Sequence, residues 1–400
     1  MTKVFFPNQP KEWNAFLTSH GHKALTERGI MNEFFLIDNM KDLAFRIQAI
    51  VNNHLDRMVS EKKLTTTEFV IVDWKKYSEV IFDEIVNLTL YGFKPEEPKP
   101  EIFGTRLTIS HNTQRNANAV SMGKLWNVST GNLFNRWLPG GGALVHRLKN
   151  ETTRVLSACM ATRRSELLGN AVSGTKSDRC PNIFDLYLNH NIRAAKEGRV
   201  SDIVGDLAII GVLIGTQFAG SDTSQAGSTS GLTFIAEDEN LQQKVLEACK
   251  DGNSDQIIEN QTMHKFTLEI LRFCNPVPGL IPRVAIGNFE INGIKIKKGD
   301  WICGPIGASW AKPDVFGKDY ADFNIERHTS KSGEFGMDFI PFSYGKRNCI
   351  GRNMGEIMVK ILTGELIRRF EIKNPAGYER MFTTRGVVTV KQCTLGMRIR

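Results

Sequence analysis

No uninterrupted apolar run in this chain approaches the roughly 18 residues that a bilayer-spanning helix needs. The longest apolar-rich stretch, Leu207 to Ile214, stops well short. The opening Met-Thr-Lys-Val-Phe-Phe-Pro lacks the apolar core of a secretion signal. Cysteines stand at 159, 180, 249, 274, 303, 349 and 393 with no C-x-x-C among them. That excludes a zinc-ribbon or dithiol redox motif and suits free thiols in a reducing compartment. The net charge of +8 comes without a dense Lys/Arg block or a nucleic-acid module, so nucleic acid is not an expected partner. Internal repeats, low-complexity segments and Pro/Ser-rich linkers are all missing, so one domain over residues 1–400 is expected. What remains is 41% apolar and 24% charged, the composition of an ordinary globular protein with a sizeable core.

The apolar residues recur at helical spacing. Trp74, Tyr77, Ile81, Ile85 and Leu88 repeat at three and four, with Asp73 placed to cap the start and Gly92 the end. Leu43, Ile47, Ile50, Val51, Leu55 and Met58 mark an earlier helix. Met354, Ile357, Met358, Ile361, Leu362 and Leu366 mark a late one. A long helical pattern starts near Asp202. Strands are few: Asn292-Gly293 between alternating residues predicts a type I′ hairpin, and residues 385–399 predict a terminal hairpin. The fold class is mainly α with small β-sheets.

One segment carries distinctive chemistry, Phe342-Ser-Tyr-Gly-Lys-Arg-Asn-Cys-Ile-Gly351. It sets Cys349 between two glycines, beside Lys346 and Arg347, just ahead of a helix. Basic neighbours and the first N–H groups of a helix favour a thiolate. Gly345 permits a tight turn, and Gly351 removes a side chain where a flat cofactor would approach. A thiolate so presented suits a soft metal centre, with haem iron the leading candidate. The ordinary alternative is a buried, inert cysteine.

The pattern F-x-x-G-x-R-x-C-x-G resembles the haem-binding loop of the cytochrome P-450 family. A chance match of its five fixed positions in a chain this long is on the order of one in ten thousand. Further motifs follow the family's order. Glu269 and Arg272 form an E-x-x-R pair on one helix face. Asp322-Phe-Asn-Ile-Glu-Arg327-His resembles the P-E-R-F segment without its proline and final aromatic. The resemblance implies a structural triad of Glu269, Arg272 and Arg327. Phe218-Ala-Gly-Ser-Asp-Thr223 resembles the A-G-x-D/E-T signature of the long central helix. It implies that Ala219 and Gly220 leave room for the cofactor, that Asp222 carries protons, and that Thr223 hands them on. Pro282-Arg283-Val-Ala implies a propionate contact by Arg283, and Arg347 is the second such candidate.

The resemblance implies haem b (iron protoporphyrin IX) on Cys349, contacted by Phe342, Gly345, Arg347, Gly351, Arg283, Ala219 and Gly220. It implies a monomeric haem-thiolate monooxygenase that inserts one oxygen atom of O2 into a small apolar organic or lipid-like substrate. Electrons would come from NADPH through a flavoprotein reductase, at the cytosolic face of the endoplasmic reticulum membrane. Lys346, Arg347, Arg352, Lys360, Arg368 and Arg369 would form a basic face for an acidic donor. Pocket-lining residues would be Phe218, Ala219, Thr223, the segment 277–281 and the turn at 386–388. Ahead of residues 20–35 the family has a sheet region, further helices and a substrate loop. Only about twenty residues stand there here, so the expected fold is P-450-like with its N-terminal sheet region missing, as in a truncated chain. The alternatives are a haem-thiolate isomerase or dehydratase, against which Asp222-Thr223 argues, and a truncated non-catalytic relative.

Overall fold

Apolar stripes at three- and four-residue spacing fold here as helices, and the few alternating segments as short strands. The computed structural model describes residues 21–92, 142–173, 181–279, 283–304, 306–329, 335–384 and 387–400. In chain order the helices are α1 (Gly21–Phe34), α2 (Ile37–Lys62), α3 (Trp74–Tyr91), α4 (Gly142–Ser173), α5 (Ile183–Lys196) and α6 (Asp206–Ile235). They continue as α7 (Glu239–Cys249), α8 (Ser254–Glu259), α9 (Gln261–Phe273), α10 (Ile306–Ser309), α11 (Pro313–Phe316) and α12 (Arg352–Arg369). The strands are β1 (Val70–Asp73), β2 (Arg283–Val284), β3 (Phe289–Ile291), β4 (Ile294–Ile296), β5 (Trp301–Ile302), β6 (Phe370–Lys373), β7 (Phe382–Thr384), β8 (Val388–Val390) and β9 (Thr394–Ile399).

The chain divides into two compact units, Ala44–Ser78 with Thr223–Arg400, and Thr2–Leu43 with Glu79–Asp222. The division falls inside α2, α3 and α6. In the first unit α12 is the central core helix, packed against α7, α8 and α9. Its expected stripe, Met354, Ile357, Met358, Ile361, Leu362 and Leu366, is buried throughout. The second half of α6 lies close on α9 because Gly231 allows it. A Cβ on Gly231 would overlap Ile270 and stand 3.1 Å from Phe266 Cζ. In the second unit α5 packs on α1 and α4, and the buried Tyr187 donates its hydroxyl to the Glu27 carbonyl at 3.1 Å. A chelating ion pair fastens α4 to α5: Arg163 Nε and Nη2 reach the two Asp185 carboxylate oxygens at 2.8 and 2.6 Å.

The hairpin at Asn292-Gly293 forms as predicted, with φ of 47° and 80° and Ile291 paired to Ile294. Gly92, at φ 68°, ends α3 with its N–H on the Leu88 carbonyl. The terminal hairpin is corrected. β8 pairs with β7, while β9 fills the centre of a three-stranded antiparallel sheet between β1 and β6. The final strand, with Leu395 and Met397 buried, finds its partner at Val70–Asp73 rather than in its own neighbourhood. The stretch Val200–Ile235 is long and apolar enough to cross a membrane by length and composition. That too departs from the sequence expectation, because serines and glycines break its apolar runs more than they lower its mean hydropathy.

Candidate functional site

The loop ahead of α12 is shaped by two left-handed positions, Ser343 at φ 64° and Gly345 at φ 75°. A 3₁₀ turn follows over Gly345–Arg347, closed by Asn348 N–H on the Gly345 carbonyl at 3.0 Å. Cys349 N–H then donates back to the Phe342 carbonyl at 2.8 Å, so the two ends of the motif are tied together. Cys349 is exposed. It is therefore not the buried, inert cysteine of the ordinary alternative. At both Gly345 and Gly351 no heavy atom lies within 4 Å of where a Cβ would stand. The Arg352 guanidinium covers the Phe342 ring at 5.6 Å and its Nε holds Glu356 at 3.0 Å.

Arg283, on β2, belongs with this loop. Its pKa is lowered, first by partial desolvation and then by the positive charge of Arg347. Two guanidinium groups held near enough to repel are the donor set for an anion with more than one negative oxygen. Pro282 and residues 280–281, and Gly386 of the expected pocket turn, lie outside the described residues, as does the Phe218 side chain. The expected basic face is only partly formed. Lys360 is 6% exposed and donates to the Ile258 carbonyl at 2.8 Å. Arg368 is held by Glu365, and Arg369 by Asp56.

The E-x-x-R pair builds a buried network. Glu269 is fully buried and takes Arg272 Nε and Nη2 at 2.8 and 2.7 Å. The free edge of the Arg272 guanidinium gathers the Trp310, Tyr320 and Asp322 carbonyls, fixing the chain that leads to the cysteine loop. The third member, Arg327, joins through a longer ion pair and not through a hydrogen bond. Arg327 Nε stands 3.6 Å from Glu269, beyond hydrogen-bond distance, and its other nitrogens bind Asp319 and the Phe316 carbonyl. The direct bond goes to His328, whose Nε2 lies 2.8 Å from Glu269 Oε2. The imidazole is 1% exposed and sits against Phe335 and Phe339. Burial alone would raise the Glu269 carboxyl, but bonds from Arg272, His328 and the Asn324 N–H hold it below the usual range. His328 went unrecognised because Glu-Arg-His reads equally well with either basic side chain turned inward.

On α6 the signature residues fall on both sides of the unit boundary, Ala219, Gly220 and Asp222 in one and Thr223 in the other. Gly220 has a packing reason beside the one expected. A Cβ there would lie 3.1 Å from Val86 Cγ2, so the missing side chain serves packing against α3. Ala219 and Thr223 are half-buried. Asp222 is pushed up to about 7, by burial first and then by the negative charges of Asp83 and Glu79 on α3. Those two acids, one helical turn apart, were not picked out from the sequence. Their i, i+4 spacing beside the apolar stripe of α3 was the available signal. Further along the helix the Thr229 hydroxyl bonds back to the Gln225 carbonyl at 2.7 Å and the Thr233 hydroxyl to the Ser230 carbonyl at 2.7 Å, nearly two and nearly three turns past Thr223.

Among the described residues no three His, Cys, Asp or Glu side chains gather as a metal-ion site. The chemistry of the loop instead fits a ligand that brings most of its own donors: one exposed thiol, two glycines with open faces and a pair of arginines. A flat, anionic iron porphyrin matches that set. The cytochrome P-450 family model matches residues 6–394, and the chain belongs to that family. A cytokinin hydroxylase of Arabidopsis thaliana is 30% identical over 168 residues, covering 40% of this chain and 32% of that protein. Cytochrome P-450 26A1 of Gallus gallus is 32% identical over 165 residues, 38% of this chain and 33% of its own. Cytochrome P-450 734A1 of Arabidopsis thaliana is 23% identical over 370 residues, 90% of this chain and 66% of its own. The first-ranked of these matches thus spans about a third of its relative's length.

Proposed function

We propose that this chain carries the cofactor-holding part of a haem-thiolate monooxygenase, one family domain to which both compact units belong. The observation that carries the reading is the loop closed from Cys349 N–H to the Phe342 carbonyl, which leaves the thiol exposed beside two open glycines. Cys349 would supply the axial thiolate to haem b, and Arg283 and Arg347 would hold its propionates. When bound, the haem supplies binding and reductive activation of O2. The protein's own part is to orient and to move protons. Glu269, Arg272 and His328 fix the segment before the loop, so that the thiolate stays in register with the cofactor. Asp222, protonated up to about pH 7, is poised to give a proton. The Thr223 hydroxyl, next along α6, is the group to receive and pass it. The related cytokinin hydroxylase supports hydroxylation of a small, largely apolar organic substrate as the reaction class. The electrons are proposed to come from NADPH through a flavoprotein reductase, to a monomer at the cytosolic face of the endoplasmic reticulum.

The test is the carbon monoxide difference spectrum of the expressed chain after haem reconstitution, beside Cys349→Ser. A red-shifted Soret band specific to thiolate ligation, lost in the serine variant, is the expected result. A band indifferent to the substitution overturns the reading, and no pigment in either protein points to a non-catalytic relative.

A further inference from the structure

Gln217, on α6, is 4% exposed and its amide oxygen has no hydrogen-bond partner. Its Nε2 is committed, to Asp83 Oδ1 at 3.3 Å and to Ser221 Oγ at 3.2 Å. Asp222 follows Ser221 directly. The charges acting on Asp222 among the described residues are both acidic, Asp83 and Glu79 of α3. All five residues lie within one compact unit.

We infer that Asp83, Glu79 and Gln217 form a proton-holding set behind Asp222, positioning residues that keep its carboxyl supplied. A carboxylate cannot donate to an amide oxygen, whereas a carboxylic acid can. The orphaned Gln217 oxygen, on a buried side chain whose amide nitrogen already meets Asp83 and Ser221, is an acceptor suited to a retained proton. Burial and the two like charges act the same way, disfavouring ionisation of Asp222. Asp83 and Glu79 are only half-buried and so reach water. When Asp222 gives up its proton it becomes a carboxylate. An α3 carboxylate then takes up one proton from solvent and passes it to Asp222, ending as the carboxylate it began as. This rests on the proposed proton-donor role of Asp222 for the proton's destination, but not for its storage.

Infrared pH-difference spectra of the expressed chain test the storage without haem. A carboxylic-acid carbonyl band should titrate near neutral pH and vanish in Asp222→Asn, which assigns it. In Asp83→Asn its midpoint should fall by about one pH unit, and in Glu79→Gln in the same direction, because a like charge is removed. Gln217→Leu should shift the band's frequency. If the midpoint stays put in both α3 variants, or no neutral-pH band is lost in Asp222→Asn, the inference is overturned. Should Asp83→Asn fail to fold by circular dichroism, the Glu79→Gln midpoint decides. A missing thiolate spectrum would defeat the monooxygenase reading while leaving this titration intact, so the two failures are distinguishable.

Discussion

Replacing Glu269 by alanine should be the most damaging single change available in the described core. The carboxylate is fully buried and accepts four hydrogen bonds, two from Arg272, one from His328 and one from the Asn324 N–H. Its removal strands the Arg272 charge, whose side chain is 3% exposed. Breaking a buried ion pair by deleting one partner costs about 3–5 kcal/mol. Leaving the Asn324 N–H without an acceptor adds about 1–3 kcal/mol. The sum is comparable with the roughly 5–15 kcal/mol that holds a whole domain folded. Arg327→Ala should be milder, about 1–3 kcal/mol, because its hydrogen-bonded carboxylate Asp319 is exposed and its ion pair with Glu269 is the longer one, at 3.6 Å. The assay is guanidinium unfolding followed by circular dichroism, with pigment retention as a second readout. The acid limb tests the electrostatics. A carboxyl held below its ordinary range contributes stability above the unfolded value and loses it as pH falls through the folded one. Wild type should therefore weaken in acid, and Glu269→Gln should flatten that limb. Glu269→Ala within about 1 kcal/mol of wild type, or Arg327→Ala costing as much, would refute the network as drawn.

Two further outcomes follow from single side chains. Gly231→Ala would drive a methyl into Ile270 and Phe266 and should cost about 1–3 kcal/mol in thermal or chemical unfolding; a change below about 0.5 kcal/mol would mean that α6 and α9 are less tightly packed than drawn. Asp222, raised from 3.8 to about 7, stabilises the fold most while protonated, and that contribution is lost as pH climbs from the lower value to the upper. The loss is on the order of 4 kcal/mol. Asp222→Asn should thus gain stability at pH 8 and none at pH 4, and destabilisation at pH 8 would contradict the raised carboxyl.

How much of this could be read from the sequence depended on how local each interaction is. The cysteine loop was legible because the turn at Gly345 that shapes it lies within a few residues of the thiol, and Asn292-Gly293 because a type I′ turn demands positive φ at both central positions. The Glu269–Arg272 pair was legible because i, i+3 spacing alone puts both groups on one face of α9. Each failure involved a partner chosen at long range. β9 pairs with β1, over 300 residues away, because a strand is placed by which sheet edge its buried face can reach, and residue order says nothing of that. Gly220 also answers to Val86 on another helix, a packing reason that its signature did not suggest. The addition of His328 beside Arg327 is the instructive case. Both follow Glu326 and both side chains are buried, yet only His328 comes within hydrogen-bond distance of the carboxylate, Arg327 keeping an ion pair at 3.6 Å. The Asp319 side chain and the Phe316 carbonyl capture the longer guanidinium first, leaving the inner position to a shorter, planar ring that fits among Phe335 and Phe339. Sequence supplied the basic side chains the network needs; packing selected which of them makes the short hydrogen bond.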